Sequence, residues 1–584
     1  MFAKNSFVPD KFTHRSIEEI FSLLEKILSP QDIEKLEIVY PPEKKWGDFS
    51  LPCFSLTKSF RQPPEKIAQK LSQKIKIKKR GVIKEVRPFG PYLNFWVNPE
   101  KQAKMVLRDI VRKNFFQESI LEKKEKVLLE FLSPNTNKPL HLGHGRNAFL
   151  GESLFNILSA IGYKVVKVCL INDRGVHICK SMLAYKKKGK GLTPEDVGIK
   201  PDHFVGDYYA LFEDMKKNNS RVEKEAQKML KKWERGDKET KKLWRKMTDW
   251  ALEGLQETLD KVKISFHKYY FESRIYKKGK NIVLKAFQKG KFVKKDGAII
   301  ADLSRYNLPD KVLLRQDGTA LYITQDIYLT YLKQRDFHPQ KIVHIIGDEQ
   351  NLAQKQLFAI MDILGFRQAK NLHHLSYGMV NVEGGKLKSR EGTRVDLDTL
   401  IKDLEKMAVL EIKSRYEKLN EEEVERRSQK IALGALKYYI LQYNAKNTVN
   451  FNPEKSLSFT GRTGPYLQYT YARIKSIFVK TGNLSIKSQK VDFSLLKFQE
   501  EKDLIFILGR YKQVILESAE NYNPALLARY LYEVAKLFNV FYHSCPVLGA
   551  SKPVQEARLL LIWCVAEIIK NGLSLLGIET VDEM

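Results

Sequence analysis

The sequence predicts an α/β protein with a small α+β domain in front of it and an all-α domain behind it. Three observations carry this expectation. Apolar strand-like runs alternate with amphipathic helix-like segments between about residues 125 and 380, a shorter mixed region precedes them, and helical periodicity dominates beyond about 400. At 584 residues the chain exceeds the size at which one hydrophobic core keeps growing. Boundaries are therefore expected near 120 and 405, giving units of 1–120, 121–405 and 406–584.

In chain order, Pro64 to Leu71 has helical spacing, and Gly90 to Val97 alternates as a strand after a turn. Lys101 to Lys126 reads as a charged, helix-like linker. Lys126 to Phe131 is a short buried-type strand, Arg146 to Ile161 an amphipathic helix and Lys164 to Leu170 a second strand. Together they form a βαβ unit, the building block of a parallel sheet. Residues 181–290, rich in Lys, Glu and Trp, read as an insertion of long solvated helices. Val312 to Arg315 is a strand, Asp317-Gly318 a turn and Ala320 to Ile323 a further strand. A second βαβ-like half follows, with strands near 341–347 and 374–380 around the helix-like Asn351 to Leu364.

A formal net charge of +32 implies a polyanionic partner, either nucleic acid or an acidic membrane surface. The most apolar late segment, Leu559 to Ile578, is broken by Glu567 and Lys570, and the N-terminus has no apolar signal core, so a cytoplasmic, non-membrane protein is expected. Five scattered cysteines, never in a C-x-x-C pair, suggest neither a disulfide framework nor a structural zinc site.

The densest chemistry lies in SPNTNKPLHLGHGRN, Ser133 to Asn147. In a βαβ unit, the loop leaving the first strand and entering the helix is where phosphates bind, because free N–H groups and the helix dipole both favour anions. His141 and His144 can donate hydrogen bonds to phosphate oxygens, and Gly143 lets a flat base or a phosphate approach its backbone. The segment is neither a P-loop nor a G-x-G-x-x-G fingerprint. A metal site and a pair of structural histidines are the rival readings. Zinc lacks Cys or carboxylate ligands at familiar spacing here, and the βαβ context favours phosphate.

Leu129 to Asn135, Lys138-Pro139 and His141-Leu142-Gly143-His144 closely resemble the H-I-G-H region of class I aminoacyl-tRNA synthetases, in its arginyl-tRNA synthetase form. The resemblance continues through Ile171 to Gly175, His203 to Tyr209, Gly318 to Asp326, Gly461 to Tyr469 and Cys545 to Leu548, and so spans essentially the whole chain. It implies a Rossmann-like catalytic domain, an N-terminal domain that touches the tRNA elbow through the Phe89 to Phe95 segment, including Asn94, and a C-terminal anticodon-binding domain. It further implies a monomer that uses ATP with Mg²⁺ to activate arginine and transfers it to tRNA(Arg). His141, Gly143 and His144 would hold ATP. The family's mobile K-M-S-K-S loop matches Lys386, Leu387, Lys388, Ser389 and Arg390; the second signature lysine falls on Ser389, and Lys138 stands where some arginyl enzymes carry a compensating lysine. Taken alone, that stretch would read as a solvated basic turn.

A guanidinium is a permanently charged planar fork of donors, so its pocket should contain carboxylates and an aromatic face. The resemblance assigns Glu130, Tyr322 and Asp326 to that side, and Asn135 and Gln350 to the α-amino and carboxylate groups. Without it, Asp326 would read as an ordinary carboxylate near a helix N-terminus. Tyr466, Gln468 and Tyr469 would lie near the anticodon bases. Two rival functions are another class I synthetase or nucleotidyltransferase, and a tRNA-binding protein that does not aminoacylate. Gly434-Ala435-Leu436-Lys437 and the C-terminal domain argue against the first, and the intact tetrad against the second.

Overall fold

The computed structural model describes residues 10–121, 125–383, 395–415, 419–482 and 488–584. The first region carries an antiparallel sheet of β1 (Phe49–Pro52), β2 (Ile83–Phe89) and β3 (Tyr92–Val97), ordered β1-β3-β2, with the helices Lys11–Leu24 and Pro64–Lys74. The expected linker after it is a core element instead. Helix Pro99–Ile110 buries Ala103, Val106, Leu107 and Ile110 along one face, and it packs on the Lys11–Leu24 and Gln499–Leu508 helices. Its charges occupy the other face of an i, i+3, i+4 pattern, which is how a highly charged stretch can still be structural.

The central sheet is parallel, built from β4 (Lys126–Glu130), β5 (Lys164–Ile171), β6 (Lys268–Phe271), β10 (Lys341–Gly347) and β11 (Leu372–Tyr377) in the order β11-β10-β4-β5-β6. Between them in sequence, β7 (Val293–Lys295), β8 (Ala298–Ala301) and β9 (Lys311–Leu314) form a separate antiparallel sheet. Helix Leu142–Ala160 connects β4 to β5, and helix Asn351–Leu364 connects β10 to β11. The chain thus winds outward in both directions from the β4–β10 pair. Such a reversal opens a crevice at the carboxyl ends of the strands, where ligands bind in doubly wound sheets.

Three expectations need correction. The insertion does not run to residue 290, because Lys268–Phe271 returns to the sheet as its edge strand. Nor are its helices merely solvated: Met182, Phe204, Phe212, Met247 and Ala251 form a core of their own. The supposed strand Ala320 to Ile323 is an isolated bridge from Ala320 to Leu314, after which a helix begins at Tyr322. β-branched and aromatic residues suit a strand, but tertiary position overrides that preference here.

Beyond the sheet, β12 (Val380–Val382) pairs in parallel with β13 (Val449–Phe451), and the rest is a helical bundle that includes Glu421–Leu441, Gly464–Lys480, Pro524–Ser544 and Lys552–Leu575. No helix among the described residues is long and apolar enough to cross a membrane. All five cysteines are buried and free.

Candidate active site

The helix Leu142–Ala160 opens beside the carboxyl end of β4, and its N-terminus is capped by histidines. The Gly143 N–H donates to His141 Nδ1 at 3.1 Å, and the His141 N–H donates to His144 Nδ1 at 3.2 Å. The two rings lie 3.8 Å apart at 33°. Backbone donors thus occupy both Nδ1 atoms, so in its neutral form each ring carries its proton on Nε2. That arrangement suits an anion, as does the helix dipole. Gly143 serves the cap itself, since a Cβ there would meet His141 Cε1 and Nδ1 at 3.0 Å. Its role in the geometry is to let the His141 ring fold back over the helix start.

The loop is held from several sides. Leu132 and Ser133 adopt φ values of 79° and 43°, a strained conformation for side-chain-bearing residues. Asn147 accepts from the Leu132 N–H and donates to Ile345 O on β10 at 2.8 Å. The Leu142 N–H donates to Val395 O and the Leu397 N–H to Leu140 O, each at 2.9 Å, so residues 395–397 are clamped against His141. The same segment carries Asp396, which pairs with His203 Nε2 at 3.1 Å. Arg146 is 1 % exposed and donates to the carbonyls of Gly378, Met379, Asn444, Ala445 and Asn447. Burial pushes its guanidinium down to about 10.

Across the crevice, Glu130 ends β4 opposite His344 of β10. Buried Lys333 donates to Glu130 Oε2 and, at 3.3 Å, approaches His344 Nε2. An ammonium has no acceptor, so His344 Nε2 offers a lone pair and its Nδ1–H donates to Gln354 Oε1 at 2.8 Å. Burial, then the Lys333 charge, pushes this imidazole down to about 4, so it is neutral. Burial raises the Glu130 carboxyl, but the charge and hydrogen bond of Lys333 outweigh it and hold the group below the ordinary range. Asp326 is the opposite case: burial first and the Glu130 charge second push it up to about 7, against smaller opposing effects of Lys333 and Lys311.

The fold therefore brings Glu130 and Asp326 within electrostatic reach of each other and sets the histidine pair at the start of the helix that follows β4. Asn135 is half-buried and bridged to Asn172, whose N–H bonds Pro134 O at 2.9 Å. Gln350 is exposed in the turn Asp348–Gln350 that follows β10. Lys138 lies near His177, whose imidazole is pushed down to about 4 by burial first and then by the Lys138 charge. Tyr322 is 74 % exposed at the start of its helix and does not pack into the crevice. Lys386, Lys388, Ser389 and Arg390 fall outside the described residues. Sequence reasoning missed Lys333, His344 and Arg146; a Lys seven positions after Asp326 on one helix face is a signal that could have pointed to the first. Asp202, His203 and Asp398 could surround a metal ion, but the Lys200 ammonium already bonds both carboxylates.

Two expected RNA contacts need correction. Asn94 is 2 % exposed and accepts from Ser50 Oγ at 2.6 Å, so its amide joins strands and does not face solvent. Gln468 is fully buried, donating to Lys430 O at 3.0 Å and Glu579 O at 2.8 Å. It also packs on Gly434, where a Cβ would meet its amide at 2.7 Å. Tyr466 is half-buried and accepts from Asn539. Tyr469 does line a surface cleft of 870 Å³ with Arg473, Lys475, Lys480 and Tyr542, and the Arg473 guanidinium lies 4.8 Å from both tyrosine ring centres.

Comparison with known proteins matches the chain in three segments. Residues 14–97 match the arginyl tRNA synthetase N terminal domain, 106–452 the class I (R) tRNA synthetase catalytic domain, and 467–584 the DALR anticodon binding domain. An arginine–tRNA ligase of Treponema denticola is 43% identical, covering 94% of this chain and 95% of the relative. One from Borreliella burgdorferi is 40% identical over 93% and 94%. Among solved structures, Thermus thermophilus arginyl-tRNA synthetase superposes with a TM-score of 0.82 at 26% identity, covering 97% of this chain and 99% of that one. The Plasmodium falciparum enzyme shares the fold at 20% identity, with a TM-score of 0.78 over 99% and 100% of the two chains.

Proposed function

The chain belongs to the class I arginyl-tRNA synthetase family, and from that premise we propose that it activates L-arginine with ATP and transfers the arginine to the 3′ end of tRNA(Arg). The observation that supports this reading most directly is the histidine cap at the start of the helix that follows the first central strand, within the segment that matches the family's catalytic domain.

The arginine carboxylate is already a nucleophile, so the first step needs no general base. It needs alignment with the α-phosphate and stabilisation of the charge that develops on the phosphates. His141 and His144 supply Nε2–H donors at a helix N-terminus for that purpose. ATP enters as its Mg²⁺ complex; the donors at the histidine pair are N–H groups suited to phosphate, so the triphosphate oxygens carry the cation. Asp326 takes the guanidinium, Asn135 and Gln350 the α-amino and carboxylate groups, and Lys138 supplies the cationic charge that Ser389 does not. Lys386, Lys388 and Arg390 add charge from the signature loop. Tyr322 reaches the pocket only by moving from its exposed position. A carboxylate-lined pocket rejects uncharged isosteres on the order of 10⁴-fold, because its acids would be left unpaired.

We place the domain boundaries near residues 120 and 405, and assign the N-terminal domain to the tRNA elbow and the Tyr469 cleft to anticodon bases. Exposed Phe54, Phe89 and Tyr92, and not the buried Asn94, are the contacts on the elbow side. The protein works as a cytoplasmic monomer. Aminoacylation assayed with each of the twenty amino acids, beside pyrophosphate exchange with and without tRNA, tests the reading. Arginine should be charged preferentially and exchange without tRNA should be feeble; preference for another amino acid would refute it.

A further inference from the structure

The helical insertion reaches beyond its own core, because the start of its helix Pro201–Asn218 meets both pieces of chain that frame the histidine cap. On one side the helix lies against the loop: a Cβ on Gly206 would meet Pro139 Cδ at 2.8 Å. On the other, its first turn holds the segment 396–398. His203 Nε2 lies 3.1 Å from Asp396 Oδ2 and its Nδ1 lies 3.6 Å from Asp202 Oδ1, so the ring sits between two carboxylates. Lys200 donates to Asp398 Oδ2 at 2.8 Å and to Thr258 Oγ1, which itself donates to Asp398 at 2.9 Å.

We propose that His203 is a positioning residue for the nucleotide: by gripping Asp396 from the insertion, it sets the register of segment 395–397 against His141 and so fixes where the histidine cap presents its donors to ATP. This rests on the reading of His141 and His144 as the ATP-binding pair.

The need for such a grip lies in the backbone. His141 and Asp396 meet as an isolated antiparallel bridge, made by the Leu142 N–H to Val395 O and the Leu397 N–H to Leu140 O. A strand in a sheet has its register fixed by many consecutive pairs, and a single bridge lacks that support. The side chain of Asp396 supplies it from both oxygens. Oδ1 accepts from the Thr399 N–H at 2.8 Å at the start of the helix Leu397–Arg415, and Oδ2 faces His203. The hydrogen bond to Asp396 raises the His203 imidazole above its ordinary value, which favours the charged form and the stronger, charge-assisted bond. The cap is thereby tied to an element about 60 residues away in sequence, and the tie passes through one imidazole.

Pyrophosphate exchange on the full chain, with tRNA present and ATP varied, tests this. A misplaced ligand to the reacting groups costs up to about 10²-fold in rate, so His203→Ala should raise KM for ATP about tenfold and lower kcat about tenfold. KM for arginine should stay within about threefold, since the altered register lies on the nucleotide side. His203→Gln keeps an N–H donor at similar reach and should recover to within about threefold of the native protein. Asp396→Asn retains an acceptor for Thr399 and loses the charge, and should impair ATP kinetics in the same sense. The double variant His203→Ala/Asp396→Asn should be no worse than the worse single variant, because both changes remove one contact. Losses that multiply in the double variant overturn the proposal. So does a lowered kcat with native KM for ATP and no recovery in His203→Gln, the pattern of a merely structural role. If His203→Ala does not fold, Asp396→Asn decides, and native KM for ATP in that variant overturns the proposal. His144→Ala is the separate control: native ATP kinetics there would remove the reading of the histidine pair, whatever His203 does.

Discussion

At the scale of single residues, two groups have consequences that solution experiments can read. Asp326 must be ionised to hold a guanidinium, and its carboxyl is pushed up to about 7 by burial and by Glu130. Raising the pH through 7 removes that proton, so KM for arginine should fall between about pH 6 and 8 and level off above; a flat profile would remove Asp326 from the pocket. His144 caps the His141 N–H through Nδ1, which puts the proton of the neutral ring on Nε2. His144→Ala should lower turnover about 10²-fold, the scale of one lost transition-state donor, with tRNA affinity nearly unchanged. Equal loss of both would point to a folding role instead.

At the scale of elements, the helix Leu142–Ala160 joins the crevice to the rest of the chain. Its Arg146 is buried and reaches carbonyls before β12 and ahead of β13, which fixes the helix against the strands that lead into the bundle. Arg146→Met leaves those carbonyls without a donor, and a loss of about 3–5 kcal/mol in denaturant unfolding is expected, because several buried acceptors go unsatisfied at about 1–3 kcal/mol each. A change below about 1 kcal/mol would mean that water replaces the guanidinium without cost. Element reading from sequence was sound where one period dominated a stretch, as in β4, β5 and the helices Pro64–Lys74 and Asn351–Leu364. It failed at Tyr322, where strand-forming side chains start a helix, and at Pro99–Ile110, where charge on one face concealed a buried stripe on the other.

At the scale of the whole molecule, the excess of cations acts collectively on a polyanion. Binding of tRNA should weaken steeply with salt, by roughly 10³-fold between 50 and 200 mM if about six phosphates are neutralised. A salt-independent affinity would remove the electrostatic footprint from the argument for tRNA. The sequence by itself determined the α/β class with its mixed and helical flanks, and it pointed to phosphate binding at the His141 loop and to a polyanionic partner. These follow from local period, a contiguous motif and summed charge, none of which needs distant residues to meet. Only the tertiary structure decided that Lys268–Phe271 joins the central sheet, that Gln468 and Asn94 turn inward, and that Lys333 answers Glu130. Those outcomes depend on contacts between residues far apart in the chain, 203 positions in the last case, and burial against such neighbours is not encoded in any short stretch.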